Sequence, residues 1–278
     1  MSDNEGEMVR DGARLRQRWD DRYATFSLDE SSCMGAGLRF NRLLYRIKCR
    51  ALTRALRAAG FAAAKRFSVL DMGCGLAYFA VLYHVTFPLA SYVGVDISPR
   101  AIEHDRVAYP GDAFHAADIV SWREPSGARF DVVQSIEVLQ LLTDDAAFDA
   151  AVGNLAAHLA DDGIILMPMA FSDRPALDTR QRFRTRAYFD RLLGTMGLTV
   201  VDEIRLYYWF IDGGPQNPLL RAIFSRTGTW SLYALDRIAV RLGVRNRNVD
   251  QVLSTAHLLT IRRVPPPPTD PRSTRSEN

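Results

Sequence analysis

The chain has 278 residues, 47% of them apolar, with 35 Lys or Arg against 32 Asp or Glu and a net charge of +3. That length and apolar content suffice for one large domain with a substantial core. A charge so near balance argues against a dedicated nucleic-acid binder, as does the lack of a recognition-helix or aromatic–basic RNA-reading pattern. No apolar run approaches the ~20 residues of a membrane span, and the acidic, polar N-terminus is unlike a secretory signal. Cys33, Cys49 and Cys74 are odd in number and lack zinc spacing, and the histidines form no H-x-x-x-H pair. We therefore expect no metal and a reducing, cytoplasmic setting. Lys48 and Lys65 are the only lysines; so strong an arginine bias, with abundant alanine, suggests a GC-rich bacterial genome.

In chain order, residues 1–15 are polar and expected to be disordered, and residues 16–62 read as N-terminal helices. Within them Arg39, Arg42, Arg46, Arg50 and Arg57 fall on one side of a helix at 100° per residue; this is a solvated basic face, or an anion site for an acidic ligand or a membrane surface. A buried parallel strand ends at Val69-Leu70, and Asp71-Met72-Gly73-Cys74-Gly75 follows as a tight turn into a helix at Leu76–Leu82. Glycine suits a turn where backbone must approach a ligand closely. The next strand, Tyr92–Val95, ends at Asp96, and 21 residues from a glycine loop such a carboxylate can accept hydrogen bonds from ribose hydroxyls. A pyrophosphate loop needs a third glycine where this chain has Tyr78, and Asp71 would repel a pyrophosphate but suits an ammonium group.

Further strands are expected at Ala113–Ile119, Arg129–Gln134, Ile164–Pro168 after Gly163 as a helix stop, Leu198–Leu206 and Ala256–Ile261. A helix over Ala187–Met196 should stop at Gly197. Residues 206–252 form an insert before the last strand, far longer than a hairpin loop. It opens with Tyr207-Tyr208-Trp209-Phe210, and two helices, Pro218–Arg226 and Trp230–Leu242, are expected within it. Residues 264–278, with four consecutive prolines, read as a disordered tail. The expected fold is thus α/β: a seven-stranded, mostly parallel, doubly wound sheet within residues 16–263.

Asp71-x-Gly73-Cys74-Gly75, with Asp96 and then Asp118 at the ends of the next two strands, resembles the class I S-adenosylmethionine-dependent methyltransferases over about residues 65–205. The family's third glycine falls at Ala77. The run Arg129–Gln140 is similar to the family's fourth motif, and Trp19-Asp20-Asp21-Arg22-Tyr23 to an N-terminal W-D-x-x-Y helix whose tyrosine covers the cofactor; packing of a Trp and a Tyr on one helix face explains that last pattern equally. The resemblance implies S-adenosylmethionine as cofactor. It would be held by Tyr23, Asp71, Gly73, Cys74, Gly75, Asp96, Ile97, Asp118, Ile119 and Ser135, with Asp118 on the adenine amino group and the apolar residue after it on the ring.

The function so implied is methyl transfer to a small-molecule acceptor, in bacterial specialised metabolism. The insert would serve as a substrate lid or as a packing or dimer element, with Tyr207, Tyr208 and Trp209 enclosing the acceptor. A regulatory protein that binds the cofactor without transfer, and a peptide or protein methyltransferase, are the alternatives. Relatives often carry a histidine base after Val-Leu-Gln; here Val138-Leu139-Gln140 is followed by Leu141. Glu137 and Gln140 are the catalytic candidates: Glu137 (or else Tyr23 or Tyr207) would act as a base, or Gln140 would orient an acceptor that needs none.

Overall fold

The computed structural model describes residues 3–25, 38–61, 66–172, 176–177, 181–207 and 256–264. Short apolar runs pair laterally into a seven-stranded sheet: β1 (Phe67–Met72), β2 (Leu89–Asp96), β3 (Ala113–Ala116), β4 (Phe130–Gln134), β5 (Leu159–Met169), β8 (Leu198–Tyr207) and β9 (Ala256–Arg263). Their order across the sheet is β3-β2-β1-β4-β5-β9-β8. All are parallel except β9, which runs antiparallel to both β5 and β8. Two short strands, β6 (Ala176–Leu177) and β7 (Arg182–Phe183), pair separately. This is the expected mostly parallel, doubly wound fold. The strand order reverses between β1 and β4, where such sheets open a crevice at their C-terminal edge.

Helices cover both faces. On one side α2 (Leu38–Ala58), α3 (Tyr78–Thr86) and α4 (Pro99–Ala108) pack with β1, β2 and β4 around Leu52, Leu56, Tyr83 and Ile102. On the other, α5 (Asp145–Ala157) and α6 (Arg186–Thr195) pack around Phe148, Leu155 and Phe189. Helix starts follow local chemistry: the side chains of Ser98, Asp144 and Thr185 accept the backbone N–H of Ala101, Ala147 and Tyr188. Gly197, φ +65°, ends α6 in the left-handed region, as expected.

Several boundaries differ from expectation. Helix α1 spans Asp3–Thr25, so most of the stretch expected to be disordered is helical. β3 stops at Ala116, leaving Asp118 in the following turn. β5 begins at Leu159, before Gly163 rather than after it. The helix stop is at His158, whose backbone N–H caps α5. Gly163 sits in a register shift between β4 and β5, where a Cβ would lie 2.9 Å from the Asp131 carbonyl. It serves close strand approach, not helix termination. Tyr208, Trp209 and the rest of the insert over 208–255, with the tail over 265–278, lie outside the described residues.

Gly94 on β2 shows how tightly the core is filled. A Cβ there would stand 2.6 Å from the Phe114 ring and 2.9 Å from Cys74 Sγ, both buried. Gly94→Ala should destabilise the protein by about 1–3 kcal/mol through overpacking. Urea unfolding of both forms checks this, and an unchanged midpoint would contradict it.

Candidate functional site

Four C-terminal strand ends and one helix wall a cavity over the β1–β4 crevice. The turn after β1 contributes Gly73, β2 ends in Asp96 and Ile97, the turn after β3 brings Asp118 and Ile119, and Val138 follows β4. Helix α1 closes the top with Leu15, Trp19 and Tyr23, and Leu141 and Leu142 complete the wall. The space is about 490 Å³, part of it open to solvent. Six residues expected to contact the cofactor, Tyr23, Gly73, Asp96, Ile97, Asp118 and Ile119, therefore meet at one place.

The turn after β1 is shaped for close approach. Gly73 holds φ +89°, and a Cβ there would be 2.3 Å from Val138 Cγ2. Gly75 holds φ +58°, and its Cβ would meet the Tyr23 hydroxyl at 2.8 Å. Ala77, at the third-glycine position, also adopts a left-handed backbone, φ +47°. The Asp96 carboxylate accepts the Gly75 N–H at 2.9 Å and the Ser98 N–H at 3.0 Å. Burial raises its pKa above the ordinary range, and these backbone donors oppose that shift. Asp118 accepts the Val120 N–H at 2.9 Å.

Helix α1 is fastened to the site through residues with no expected role. Ser98 Oγ donates to Asp20 Oδ1 at 2.5 Å, and the Arg100 N–H reaches the same oxygen at 3.2 Å. Trp19 and Tyr23 stack on each other, ring centroids 5.7 Å apart. The packing of these two rings on one helix face, one of the two readings of the motif, is thus present, and both rings also line the cavity.

Asp71 lies beneath the turn rather than in the cavity wall. Its Oδ2 accepts from Tyr92 Oη at 2.6 Å and from Gln134 Nε2 at 2.7 Å. Its buried Oδ1 has no partner among the described residues. Desolvation lifts this carboxyl to about 6. Cys74 Sγ points at Asp105, 3.8 Å away, and desolvation raises its pKa well above the ordinary thiol value, which argues against a nucleophile. Ser135 donates its hydroxyl to the Met72 carbonyl at 2.8 Å and ties β4 to β1; it is not among the residues that line the cavity.

A second cavity adjoins on the far side of the turn after β4. Glu137, Gln140, Met169, Gln181, Arg182 and Phe183 are among its walls. Glu137 holds φ +63°, a strained backbone for a residue with a Cβ. Its carboxylate meets Lys48 Nζ of α2 at 3.0 Å and accepts from Gln140 Nε2 at 2.9 Å. Lys48 is buried; no sequence motif had marked it. Arg182 bonds Asp145 and the Thr143 carbonyl. Tyr207 ends β8, next to this edge. His158 is structural: it bonds the Asn154 carbonyl and the Glu124 N–H and stacks on Trp122. No group of three or more metal-ligating side chains occurs among the described residues.

Comparison with known proteins bears on this arrangement. A family model described as "Methyltransferase domain" matches residues 40–203. Trans-aconitate 2-methyltransferase of Methylobacterium radiotolerans is 34% identical over 100 residues, 36% of each chain. The Klebsiella pneumoniae enzyme of the same name is 33% identical over 101 residues, 36% of this chain and 38% of that one. The match thus spans little more than a third of the length of these relatives. Among solved structures, magnesium protoporphyrin IX methyltransferase of Synechocystis PCC 6803, with bound SAM, is similar in fold. It has a TM-score of 0.56 at 12% identity, over 91% of this chain and 97% of that one. An O-methyltransferase from a Brevibacillus brevis multienzyme, with S-adenosyl-L-homocysteine, scores 0.54 at 16% identity over 86% and 80%.

Behind the glycine turn, Asp105 is fully buried, and desolvation, then the charge of Asp96, raise its carboxyl from 3.8 to about 8. A carboxyl raised on folding favours the folded state while protonated, so its contribution fades as pH climbs from about 4 to about 8. Asp105→Asn keeps the neutral form throughout. Its melting temperature should fall less than that of the parent protein over this interval; parallel curves would contradict the assignment.

Proposed function

The chain belongs to the class I S-adenosylmethionine-dependent methyltransferases, and on that premise we propose that it methylates a small-molecule acceptor, with the cofactor under α1 and the acceptor in the adjoining cavity beside Glu137 and Gln140. The observation that carries this reading is the convergence of Gly73, Asp96, Asp118 and Tyr23, from four separate segments, on one crevice. The residues present fit the cofactor. A carboxylate stands at the β2 tip for ribose hydroxyls, Asp118 and Ile119 suit an adenine edge and face, and the glycine turn leaves backbone open. The unpartnered Asp71 Oδ1 is an acceptor suited to an ammonium group, directly or through water. When bound, S-adenosylmethionine supplies a sulfonium-activated methyl group.

The protein's part is alignment and exclusion of water. Trp19 and Tyr23 cover the first cavity, and apolar Leu141 stands where many relatives carry a histidine. Glu137 is held by buried Lys48, so it orients Gln140 rather than taking a proton. An acceptor that needs no base fits this best: an ionised small acid, or an amine with a free lone pair. The name of the curated relatives, trans-aconitate 2-methyltransferase, favours the acid. We place the activity in bacterial specialised metabolism; the arginine- and alanine-rich composition supports a bacterial source. A cofactor-binding regulator would share the first cavity and leave the second without a use.

Calorimetry with S-adenosylhomocysteine separates these points. Asp96→Ala should weaken binding about ten- to hundredfold, since a charged hydrogen bond contributes about 1.5–3 kcal/mol. Unchanged affinity, or tighter binding of NAD by the parent protein, would overturn the cofactor assignment. With trans-aconitate as the first acceptor tried, Glu137→Gln should lower the rate less than about tenfold across pH. A loss of about 10²–10⁴-fold would instead make Glu137 the general base.

A further inference from the structure

Helix α2 carries six arginines and Lys48 and not one carboxylate over 21 residues, in a chain whose net charge is only +3. The rest of the molecule is therefore net acidic. Packing of Leu52, Ala55 and Leu56 against the sheet fixes the rotation of the helix. Arg46, Arg50, Arg54 and Arg57 are left exposed, and among the described residues their guanidinium groups form no hydrogen bond or ion pair. They spread over roughly 80° of the helix circumference and extend about 17 Å at 1.5 Å per residue. Unpaired like charges in a row repel one another, so folding alone gives no reason for them.

The neighbouring helices carry a second, independent feature. Helices α3 and α4 lie on the same side of the sheet as α2 and share its core cluster. Their outward surfaces expose Val81 (48%), Val85 (80%) and Val107 (83%). A β-branched residue at a solvent-facing helix position brings no packing and slightly lowers helix propensity. Across α2, α3 and α4 the carboxylates are Glu103 and Asp105, and Asp105 is buried. One face of the molecule thus combines a straight row of free guanidinium groups with projecting aliphatic tips.

We propose that this α2–α3–α4 face docks the protein on an anionic phospholipid surface. Guanidinium groups pair with phosphate headgroups through their planar fork. The valine tips reach the boundary between headgroups and acyl chains, where short apolar side chains are favourable. The valines favour lipid over nucleic acid, since a phosphate backbone has no apolar layer to receive them. The contact is peripheral, because no helix among the described residues is long and apolar enough to cross a membrane. It is also independent of the methyl-transfer reading, since none of these side chains lines either cavity.

The test is co-sedimentation of the full chain with vesicles of phosphatidylcholine alone and of phosphatidylcholine and phosphatidylglycerol in equal parts. Binding is expected to the mixed vesicles only and to weaken as salt is raised. Each basic residue near an anionic membrane contributes about 1 kcal/mol, about fivefold in partition. Arg46→Ala/Arg50→Ala should therefore bind about twenty-five-fold more weakly, with an unchanged melting temperature. Val81→Ser/Val85→Ser should bind more weakly with the same salt dependence. No binding to the mixed vesicles, equal binding to both kinds, or an Arg46→Ala/Arg50→Ala variant that binds like the parent overturns the proposal. So does tighter retention by a DNA duplex than by the mixed vesicles at the same salt, which would mark a nucleic-acid surface.

Discussion

The Asp96 carboxylate holds the centre of this structure together. One oxygen accepts from Gly75 in the turn after β1, and the other from Ser98 at the start of α4. Ser98 in turn donates to Asp20 on α1. A single buried acid thereby links the glycine turn, the tip of β2, the N-terminus of α4 and, through one hydroxyl, the helix that covers the cavity. A desolvated carboxylate is tolerable only with such donors around it. Its geometry is therefore set before any ligand arrives, as a binding site needs if ordering is not to cost affinity.

A second polar layer below it sets the register of the strands. Tyr92 on β2 and Gln134 on β4 both donate to Asp71 on β1, and Tyr83 on α3 donates to Gln134 at 2.6 Å. Four buried polar side chains from four elements satisfy one another, apart from the one Asp71 oxygen without a partner. Buried polar networks specify alignment strongly, because a slip in register strands their donors. Here the alignment puts Gly73, Asp96 and the turn after β4 at the same height along the sheet.

Much of this was legible in the chain because backbone geometry demands particular residue types. Only glycine accommodates the positive φ and the crowding at Gly73 and Gly75, and only an acid serves at the Asp96 tip, so their spacing announces the crevice. Gly197 is readable for its positive φ alone. The Lys48–Glu137 pair was not legible: its partners are far apart in sequence, and a lysine on an arginine-rich helix looks like one more solvated charge. Only the fold shows that it faces inward. Gly163 misled because a glycine after a helix suggests a stop, whereas the demand came from the neighbouring strand's carbonyl. The bond from the Ser135 hydroxyl to the Met72 carbonyl was not legible either, because a place in a motif does not say which way a hydroxyl turns. The helical extension of α1 back to Asp3 was hidden by its polar composition.

The proposed function stands or falls with the crevice walled by the β1 turn, Asp96, Asp118 and α1 as the place that holds the cofactor. A crystal structure with S-adenosylhomocysteine tests it most directly. The expected result is ribose hydroxyls on Asp96, the adenine between Ile97 and Ile119 with its amino group on Asp118, and Tyr23 over the ligand. Density for the ligand elsewhere, or in this crevice with the adenine away from Asp118 and Ile119, would contradict it.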